Sequence, residues 1–414
     1  EINPDFAEGH SNLGNTLRDL GKLVEAEVCL RKAIEINPDF AEAHGNLGNT
    51  LRDLGKLEEA EILFRKAIEL APDFVNAYLN LGQTMKDRGK TQEALDCYQN
   101  VITINPKFPN IYSLITRLIR DSNPSHFNKS NLRKILKLLL DRNDISHIEL
   151  FSAFKYLYAN KLIEYFGKTF NYSIEKQYLD IVVKDEIIIN SLKKIIFNDP
   201  ELEKIFTILR KNLCYYISNN IKSINSSIVV FIIALAEQCF FNEYVYSYLP
   251  DEILEVNKLI KRCENRDFNE IYISIIACYI PLYKLIEKIP SLKSFSSTIK
   301  SFNELLILQI VEPLKEIEYS TQIKKLGSIN DPTSLKVKTQ YEENPYPRWR
   351  YGDPKKNQEV SIIQSINSVI KPNSISQFIS KDKLNVLIAG CGTGQHILHR
   401  QNYRNSKVIG IDLS

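Results

Sequence analysis

Residues 12–22 read NLGNTLRDLGK, the same eleven letters recur at residues 46–56, and NLGQTMKDRGK follows at residues 80–90. The string INPDF begins at Ile2 and again at Ile36, and prolines stand at positions 4, 38, 72 and 106. Both patterns have a period of 34 residues, which is enough for two helices and their turns. The glycine at the end of each string predicts the end of the first helix of the unit, because glycine readily adopts the left-handed conformation found there.

The repeating positions resemble those of the tetratricopeptide repeat. Leucine and glycine recur in the first helix of each unit, and alanine with a large apolar residue recurs in the second, as in Ala26, Ala60 and Ala94. This resemblance implies an α-solenoid over residues 1–120, with three full units and a degenerate fourth helix. It also implies that the first helix of each unit lines a concave groove.

Polar residues recur along that first helix in three rows, which predict a groove for a peptide or protein partner. The predicted groove residues are Asn12, Asn46 and Asn80 (the first amide row), Asn15, Asn49 and Gln83 (the second amide row), and Arg18, Arg52 and Lys86 (the cation row). Carboxamides can hydrogen-bond the backbone of an extended peptide without reading its side chains. The asparagines are similar to those of the O-linked N-acetylglucosaminyltransferase repeats. The alternative is that these side chains make only solvent or intra-repeat contacts.

Residues 121–330 predict an all-α domain of eight to ten helices. Leu132, Ile135, Leu136 and Leu139 follow helical spacing, and similar apolar stripes recur up to Ile317. Glu237 and Gln238 interrupt a strongly apolar segment. Two roles remain open for them: a place where the domain meets a partner or site, or a helix end that turns to solvent.

Residues 331–383 form a lead-in rich in proline and tyrosine, with QYEENPYPRWRYGDP at residues 340–354. Its prolines exclude a regular helix or a central strand. We expect either a lid over a bound cofactor or a packed linker between domains. The possible lid residues are Tyr341, Tyr346, Arg348 and Trp349.

Residues 384–414 predict the first βαβ unit of a Rossmann-like α/β domain. An apolar run ends at Ala389, glycines follow at alternate positions, and a second apolar run ends before Asp412. A dinucleotide site would need glycine where Gln395 stands. The pattern instead resembles motif I of class I S-adenosylmethionine-dependent methyltransferases, and the order of domains is similar to bacterial tetratricopeptide-fused members. The resemblance implies S-adenosylmethionine as cofactor, Asp412 as ribose ligand, and a cofactor loop of Ala389, Gly390, Cys391, Gly392, Thr393 and Gly394.

The composition limits the classes of function. A net charge of +3 favours neither nucleic acid nor an anionic membrane as partner, and no apolar run reaches the length of a membrane-spanning helix. Seven scattered cysteines fit reduced thiols in a cytoplasmic protein, and no metal-ligand spacing is present. The sequence therefore predicts a methyltransferase with a peptide-binding solenoid. Because both ends resemble cuts, we expect the catalytic residues to lie beyond Ser414 and these 414 residues to be inactive alone. The alternative is a non-enzymatic tetratricopeptide interaction scaffold.

Overall fold

The computed structural model describes residues 6–167, 176–219, 225–265, 267–322, 330–343, 384–389 and 406–411. The chain is mainly helical and divides into two compact units, residues 1–135 and 136–414, at a boundary inside one helix. The mainly helical prediction is confirmed.

The first unit is a row of antiparallel helix pairs. Its helices are α1 (Ala7–Asp19), α2 (Leu23–Ile36), α3 (Ala41–Asp53), α4 (Leu57–Leu70), α5 (Val75–Asp87), α6 (Thr91–Ile104), α7 (Ile111–Asp121) and the first part of α8 (Lys129–Leu140). The first helices α1, α3 and α5 each pack on their own second helix, and α3, α5 and α7 pack on the second helix of the preceding pair. Repetition of this packing buries a continuous apolar core, which is the organisation of a tetratricopeptide solenoid.

Two kinds of glycine set the shape of each pair. Gly21, Gly55 and Gly89 have φ angles of 78°, 79° and 75° and follow the first helices, so the predicted helix ends are confirmed. In the first pair the Gly21 amide donates to the Arg18 carbonyl and the Lys22 amide donates to the Leu17 carbonyl, which closes the helix end. Gly48, in the middle of α3, lets the Phe64 ring of α4 approach the backbone.

The described residues of the second unit form ten further helices and two strands. The helices are α9 (Phe151–Phe166), α10 (Lys176–Val182), α11 (Glu186–Lys194), α12 (Pro200–Asn219), α13 (Ser226–Phe241), α14 (Pro250–Glu264), α15 (Glu270–Ala277), α16 (Lys300–Leu306), α17 (Glu312–Gln322) and α18 (Pro332–Glu343). Short 3₁₀ turns occur at Pro124–His126 in the first unit and at His147–Leu150, Leu282–Leu285 and Pro290–Lys293 in the second, and a π-helical turn spans Ile307–Val311.

Helix α13 is the central helix of the second unit, buried on nearly all sides and packed by α11, α15 and α16. Glu237 and Gln238 are fully buried within it, so the suggestion that they turn to solvent is wrong. The Glu237 carboxylate lies 3.4 Å from the Lys193 ammonium of α11. The Gln309 amide, in the π-helical turn, donates to the carbonyls of Ala236 and Ala277. These polar contacts join α11, α13, α15 and the π-helical turn because each buried polar group needs a partner.

His147 is also buried, at 2% exposure, with its Nε2 atom 2.9 Å from the Arg142 carbonyl oxygen. Burial lowers the pKa of His147 to about 4, so the ring is held neutral at pH 7.

The strands β1 (Leu384–Ala389) and β2 (Ser406–Ile411) pair in parallel, with Leu384 opposite Ser406 and Ala389 opposite Ile411. The predicted βαβ unit is not confirmed, because residues 390–405 lie outside the described residues. Within the described parts of the chain, every helix is too short or too polar to cross a bilayer.

Candidate functional site

The candidate site is the surface formed by the first helices of the repeats, here called the first-helix surface (α1, α3, α5 and α7). α1 contacts α3, and α3 contacts α5, so these three helices lie side by side, and Lys86 of α5 reaches Asp121 of α7. The three predicted rows lie on this surface because residues three apart on a helix share one face. All nine predicted groove residues belong to described helices.

The cation row is engaged within the solenoid. Arg18 lies 4.0 Å from the Asp53 carboxylate of the next unit, and Arg52 donates to the Asn80 side-chain oxygen at 3.2 Å. Lys86 lies 3.1 Å from the Asp121 carboxylate, and hydrogen bonds from Arg120 and from Lys86 lower the pKa of Asp121. The cation row therefore makes contacts within the solenoid, which was the alternative to ligand binding. Partly exposed ion pairs of this kind contribute about 0–1 kcal/mol each.

The first amide row is only partly engaged. Asn46 donates to the Ser11 hydroxyl of the preceding unit at 3.2 Å, and Asn80 accepts from Arg52. Asn12 is exposed at the beginning of the row.

The second amide row contains the least engaged groups. The side-chain oxygens of Asn15 and Asn49 are buried and accept no hydrogen bond from any described residue. Gln83, the third member, donates to the Asp87 carboxylate at 2.8 Å. An unpaired buried acceptor costs about 1–3 kcal/mol. Each of these residues is only half-buried, and rotation of its carboxamide, which exchanges the oxygen and the nitrogen, is required before the buried oxygen can meet a ligand.

Two residues that the sequence analysis did not assign to the site extend the rows onto α7. Arg117 continues the second amide row and Arg120 continues the cation row, each 34 residues after its predecessor. Arg120 bonds Asp121 at 2.8 Å. Arg117 is exposed and makes no hydrogen bond or ion pair with a described residue. The 34-residue period alone is enough to identify Arg117 and Arg120, since α7 resembles a first helix in sequence.

The wall behind the surface is apolar. Tyr98 of α6 is 2% exposed and its ring packs against Gly82, where an added Cβ would lie 2.6 Å from the ring. Burial raises the pKa of Tyr98 to about 12, so its hydroxyl stays protonated at neutral pH.

The predicted cofactor loop and lid fall mostly outside the described residues. Of the loop, only Ala389 is described, at the end of β1, and Gly390 to Gly394 and Asp412 are not. Of the lid, Tyr341 belongs to α18, so the prediction that the string at residues 340–354 forms no helix is wrong for residues 340–343, which precede its first proline. Tyr346, Arg348 and Trp349 are not described. Among the described side chains, no group of three or more His, Cys, Asp or Glu is placed to hold a metal ion.

Comparisons with known proteins identify the repeats. The tetratricopeptide repeat family model matches residues 5–73 and 39–107, and the match does not extend to β1 or β2. No curated protein matches the chain. These comparisons therefore lend no support to the methyltransferase prediction.

Solved structures that match include the first TPR of Spaghetti (RPAP3) bound to an HSP90 peptide, at 22% identity over 28% of this chain and 93% of that chain, with a TM-score of 0.27. The second TPR domain of human RPAP3 in complex with an HSP70 peptide matches at 23% identity over 27% and 93% of the two chains, with a TM-score of 0.26. MamA matches at 25% identity over 34% and 79%, with a TM-score of 0.30. Residues 5–107 of this chain are tetratricopeptide repeats.

Proposed function

We propose that the tetratricopeptide unit is an interaction scaffold that binds an extended segment of another protein along the first-helix surface. The observation that carries this proposal is the state of Asn15 and Asn49. Each carboxamide lies at the same position in its repeat, and neither side-chain oxygen accepts a hydrogen bond from a described residue. The carboxamides at this position in the first two repeats can bond successive peptide groups along an extended chain, whereas Gln83 in the third repeat is already bonded to Asp87.

The charged residues indicate which end of the first-helix surface binds an acidic group of the ligand. Arg18, Arg52 and Lys86 already have partners in the solenoid, so they contribute little to ligand affinity. Arg117 has no such partner among the described residues and lies at the α7 end of the second amide row. An acidic side chain or terminal carboxylate of the ligand would therefore bind at that end, where a charge-assisted hydrogen bond is worth about 1.5–3 kcal/mol.

The test selects ligands from a displayed library of random 12-residue peptides with the full chain, and measures affinity by fluorescence anisotropy. Asn15→Ala combined with Asn49→Ala removes two hydrogen bonds of about 0.5–1.5 kcal/mol each, so affinity should fall roughly 5- to 150-fold. Arg117→Ala should weaken acidic ligands more than neutral ones, and the difference should shrink as salt rises.

The matched control is Asn100→Ala, which removes an exposed asparagine from a second helix, α6. It should leave affinity unchanged. Selected peptides that bind the Asn15/Asn49 variant as tightly as the unaltered chain, or that lose affinity only with Asn100→Ala, would contradict binding on the first-helix surface.

A second candidate function is methyl transfer from S-adenosylmethionine. Its support is the parallel register of β1 and β2, which brings Ala389 and Ile411 to the same edge of the strand pair. The glycines 390, 392 and 394 follow Ala389 directly, and Asp412 follows Ile411, so the predicted loop and the predicted ribose ligand leave from adjacent strand ends. The cofactor would supply an activated methyl group, and the chain would position it.

Ultraviolet cross-linking of methyl-labelled S-adenosylmethionine tests this candidate. We expect the label to be weak and to map to the peptide around residues 384–411, and Asp412→Ala and Gly394→Asp should each reduce it. Label that maps to the helical units, or that both substitutions leave unchanged, would remove the basis for this activity.

A further inference from the structure

A cavity of about 430 Å³ lies within the first unit, lined by α4, α5 and α6, and is here called the Cys97 cavity. Two of its lining residues are buried, Leu81 at 3% exposure and Cys97 at 8%. Its charged lining residues are three carboxylates and one guanidinium, those of Glu69, Glu93, Asp96 and Arg65. The Cys97 cavity shares no residue with the three rows of the first-helix surface, so it is a separate site.

The preceding repeat shows which residues distinguish this cavity. One period earlier in the sequence, Leu63 holds the position of Cys97 and Ile62 holds the position of Asp96. Other lining residues are unchanged, since Glu35 precedes Glu69 by one period. Cysteine leaves space that the larger leucine side chain fills, and Asp96 places a carboxylate where the earlier repeat is apolar. The third repeat therefore combines a gain of space with a gain of negative charge.

Asp96 is the carboxylate of the cavity that has no cation beside it among the described residues. Its Oδ1 atom accepts hydrogen bonds from the Gln92 and Asn131 side-chain amides, at 2.7 and 3.0 Å, and both donors are neutral. The other two carboxylates of the cavity are each paired with a lysine or an arginine of α4. The uncompensated charge of Asp96 therefore favours a cationic ligand.

Tyr78 of α5 lines the cavity with an aromatic ring and a hydroxyl that is hydrogen-bonded to no described residue. The equivalent side chains of the neighbouring repeats are engaged. His44 Nε2 lies 2.8 Å from the carbonyl oxygen of Pro38, and the Tyr112 hydroxyl donates to the carbonyl of Pro106 at 3.0 Å. Tyr78 makes no such bond, so both its hydroxyl and its ring are available to a ligand.

We propose that the Cys97 cavity binds an arginine side chain of a partner protein. The guanidinium lies between the Asp96 carboxylate and the Tyr78 ring, and the methylene stem lies against Leu81 and Cys97. A guanidinium is planar, pairs with a carboxylate through two hydrogen bonds and stacks on aromatic rings. Its apolar stem suits the buried lining residues, because arginine keeps only its charged end in contact with polar groups. One chain can therefore hold a peptide on the first-helix surface and a basic partner residue at α4 and α6 at the same time.

Cys97 itself reports whether the cavity is occupied. The probe is acetyl-arginine methylamide, and its Kd for the full chain is obtained from saturation-transfer NMR. Iodoacetamide labelling of Cys97 is then followed by peptide mass spectrometry, with Cys29 as the internal control because it holds the same repeat position in the first unit. At a probe concentration of about ten times Kd, labelling of Cys97 should slow by about tenfold, since only the free cavity reacts. Labelling of Cys29 should not change.

Two analogues of the probe test the chemistry of recognition. Acetyl-citrulline methylamide has nearly the same shape as the arginine probe but no charge, so it should give little protection of Cys97. Acetyl-lysine methylamide should protect less than the arginine probe, because an ammonium group cannot form the planar, two-bonded pair with Asp96.

The repeats supply substitutions that suit the fold. Cys97→Leu introduces the residue that α4 carries at the same position, and it should abolish the saturation-transfer signal of the arginine probe by filling the cavity. Asp96→Asn keeps the side-chain shape but removes the charge, and it should weaken the probe roughly tenfold. In the opposite direction, Leu63→Cys with Ile62→Asp and His44→Tyr transfers the cavity to the preceding repeat, and the probe should then protect the introduced thiol as well. Circular dichroism verifies that each variant is folded.

Three results would overturn the proposal. The first is an arginine probe that leaves Cys97 labelling unchanged or slows Cys29 equally. The second is equal protection of Cys97 by the citrulline or the lysine analogue. The third is an undiminished probe signal in folded Cys97→Leu or Asp96→Asn protein, because the probe would then bind somewhere else on the chain.

Discussion

Gly48→Ala tests whether the backbone of α3 lies as close to the Phe64 ring of α4 as the distances indicate. A Cβ added at Gly48 would lie 2.8 Å from one atom of the Phe64 ring and 3.0 Å from two others. Phe64 is fully buried, so the ring has little room to move. Overpacking of this kind costs about 1–3 kcal/mol. Alanine also favours the helix over glycine by about 1 kcal/mol, so the net loss should be roughly 0–2 kcal/mol.

A second substitution separates the two contributions to the Gly48→Ala effect, which are the steric overlap with Phe64 and the higher helix propensity of alanine. Phe64→Ala alone should cost about 3–5 kcal/mol through the cavity it leaves. In that background the added methyl of Gly48→Ala meets no ring, so the substitution should stabilise α3 by up to about 1 kcal/mol. The sign of the Gly48→Ala effect therefore reverses, and the coupling between the two sites should equal the overlap of about 1–3 kcal/mol.

Hydrogen exchange of peptides from α3 and α4 in the full chain gives the free energy of opening for the four variants. Gly55→Ala is the matched control, since its φ of 79° strains an added side chain but no atom lies within 4 Å of the new Cβ. It should cost about 1–2 kcal/mol with or without Phe64. Effects of Gly48→Ala and Phe64→Ala that add within about 0.3 kcal/mol would refute the close contact between glycine and ring.

Three further predictions concern buried titratable groups. His147 has a pKa of about 4 when folded against 6.5 when unfolded, so the unfolded state binds more protons between these values. Stability should be complete above pH 6.5 and fall by up to about 3 kcal/mol toward pH 4, and His147→Gln should flatten this dependence in denaturant titrations. Glu237→Ala, which leaves the Lys193 ammonium without its buried carboxylate, should lower the free energy of unfolding by about 3–5 kcal/mol, and a loss below 1 kcal/mol would contradict a buried pair. Burial raises the pKa of Cys97 to about 11, so iodoacetamide at pH 8 should label it more slowly than the partly exposed Cys29, and equal rates by mass spectrometry would refute this order.

The sequence predicted the parts of the fold that depend on local rules. The period of 34 residues and the three terminal glycines located the helix pairs, because a left-handed residue is needed wherever a helix ends in this way. The apolar stripe from Leu132 to Leu140 likewise predicted α8. The burial of Glu237 was not predictable in the same way. Its partner Lys193 is remote in sequence, so a polar break in an apolar run could not be distinguished from a helix end.

For the candidate site too, the sequence predicted the positions of the residues but not their hydrogen bonds. The period predicted where Asn15, Asn49 and Arg52 lie on the first helices, since all repeats share one backbone geometry. It could not predict that Arg52 would bond Asn80, or that the Asn49 side-chain oxygen would accept no hydrogen bond from a described residue. Those hydrogen bonds depend on side-chain rotamers and on the neighbouring unit. The residue type at a repeat position determines neither of them.

Repeats of identical sequence therefore allow the effect of structural environment to be separated from the effect of local sequence. Thr16 and Thr50 have the same sequence neighbours and the same side-chain hydrogen bond to the carbonyl four residues earlier. They differ in burial: α2 packs on α3, where Thr50 is fully buried, and no described helix packs on α1 in the same way. The exposure of Thr16 is consequently a property of its place in the stack and not of its local sequence. The same logic applies to function: Asn15 and Asn49 agree in both residue and unpaired state, so their shared feature belongs to the repeat itself. A ligand that uses one of them should use the other, and the effects of the two single substitutions on affinity should be similar in size.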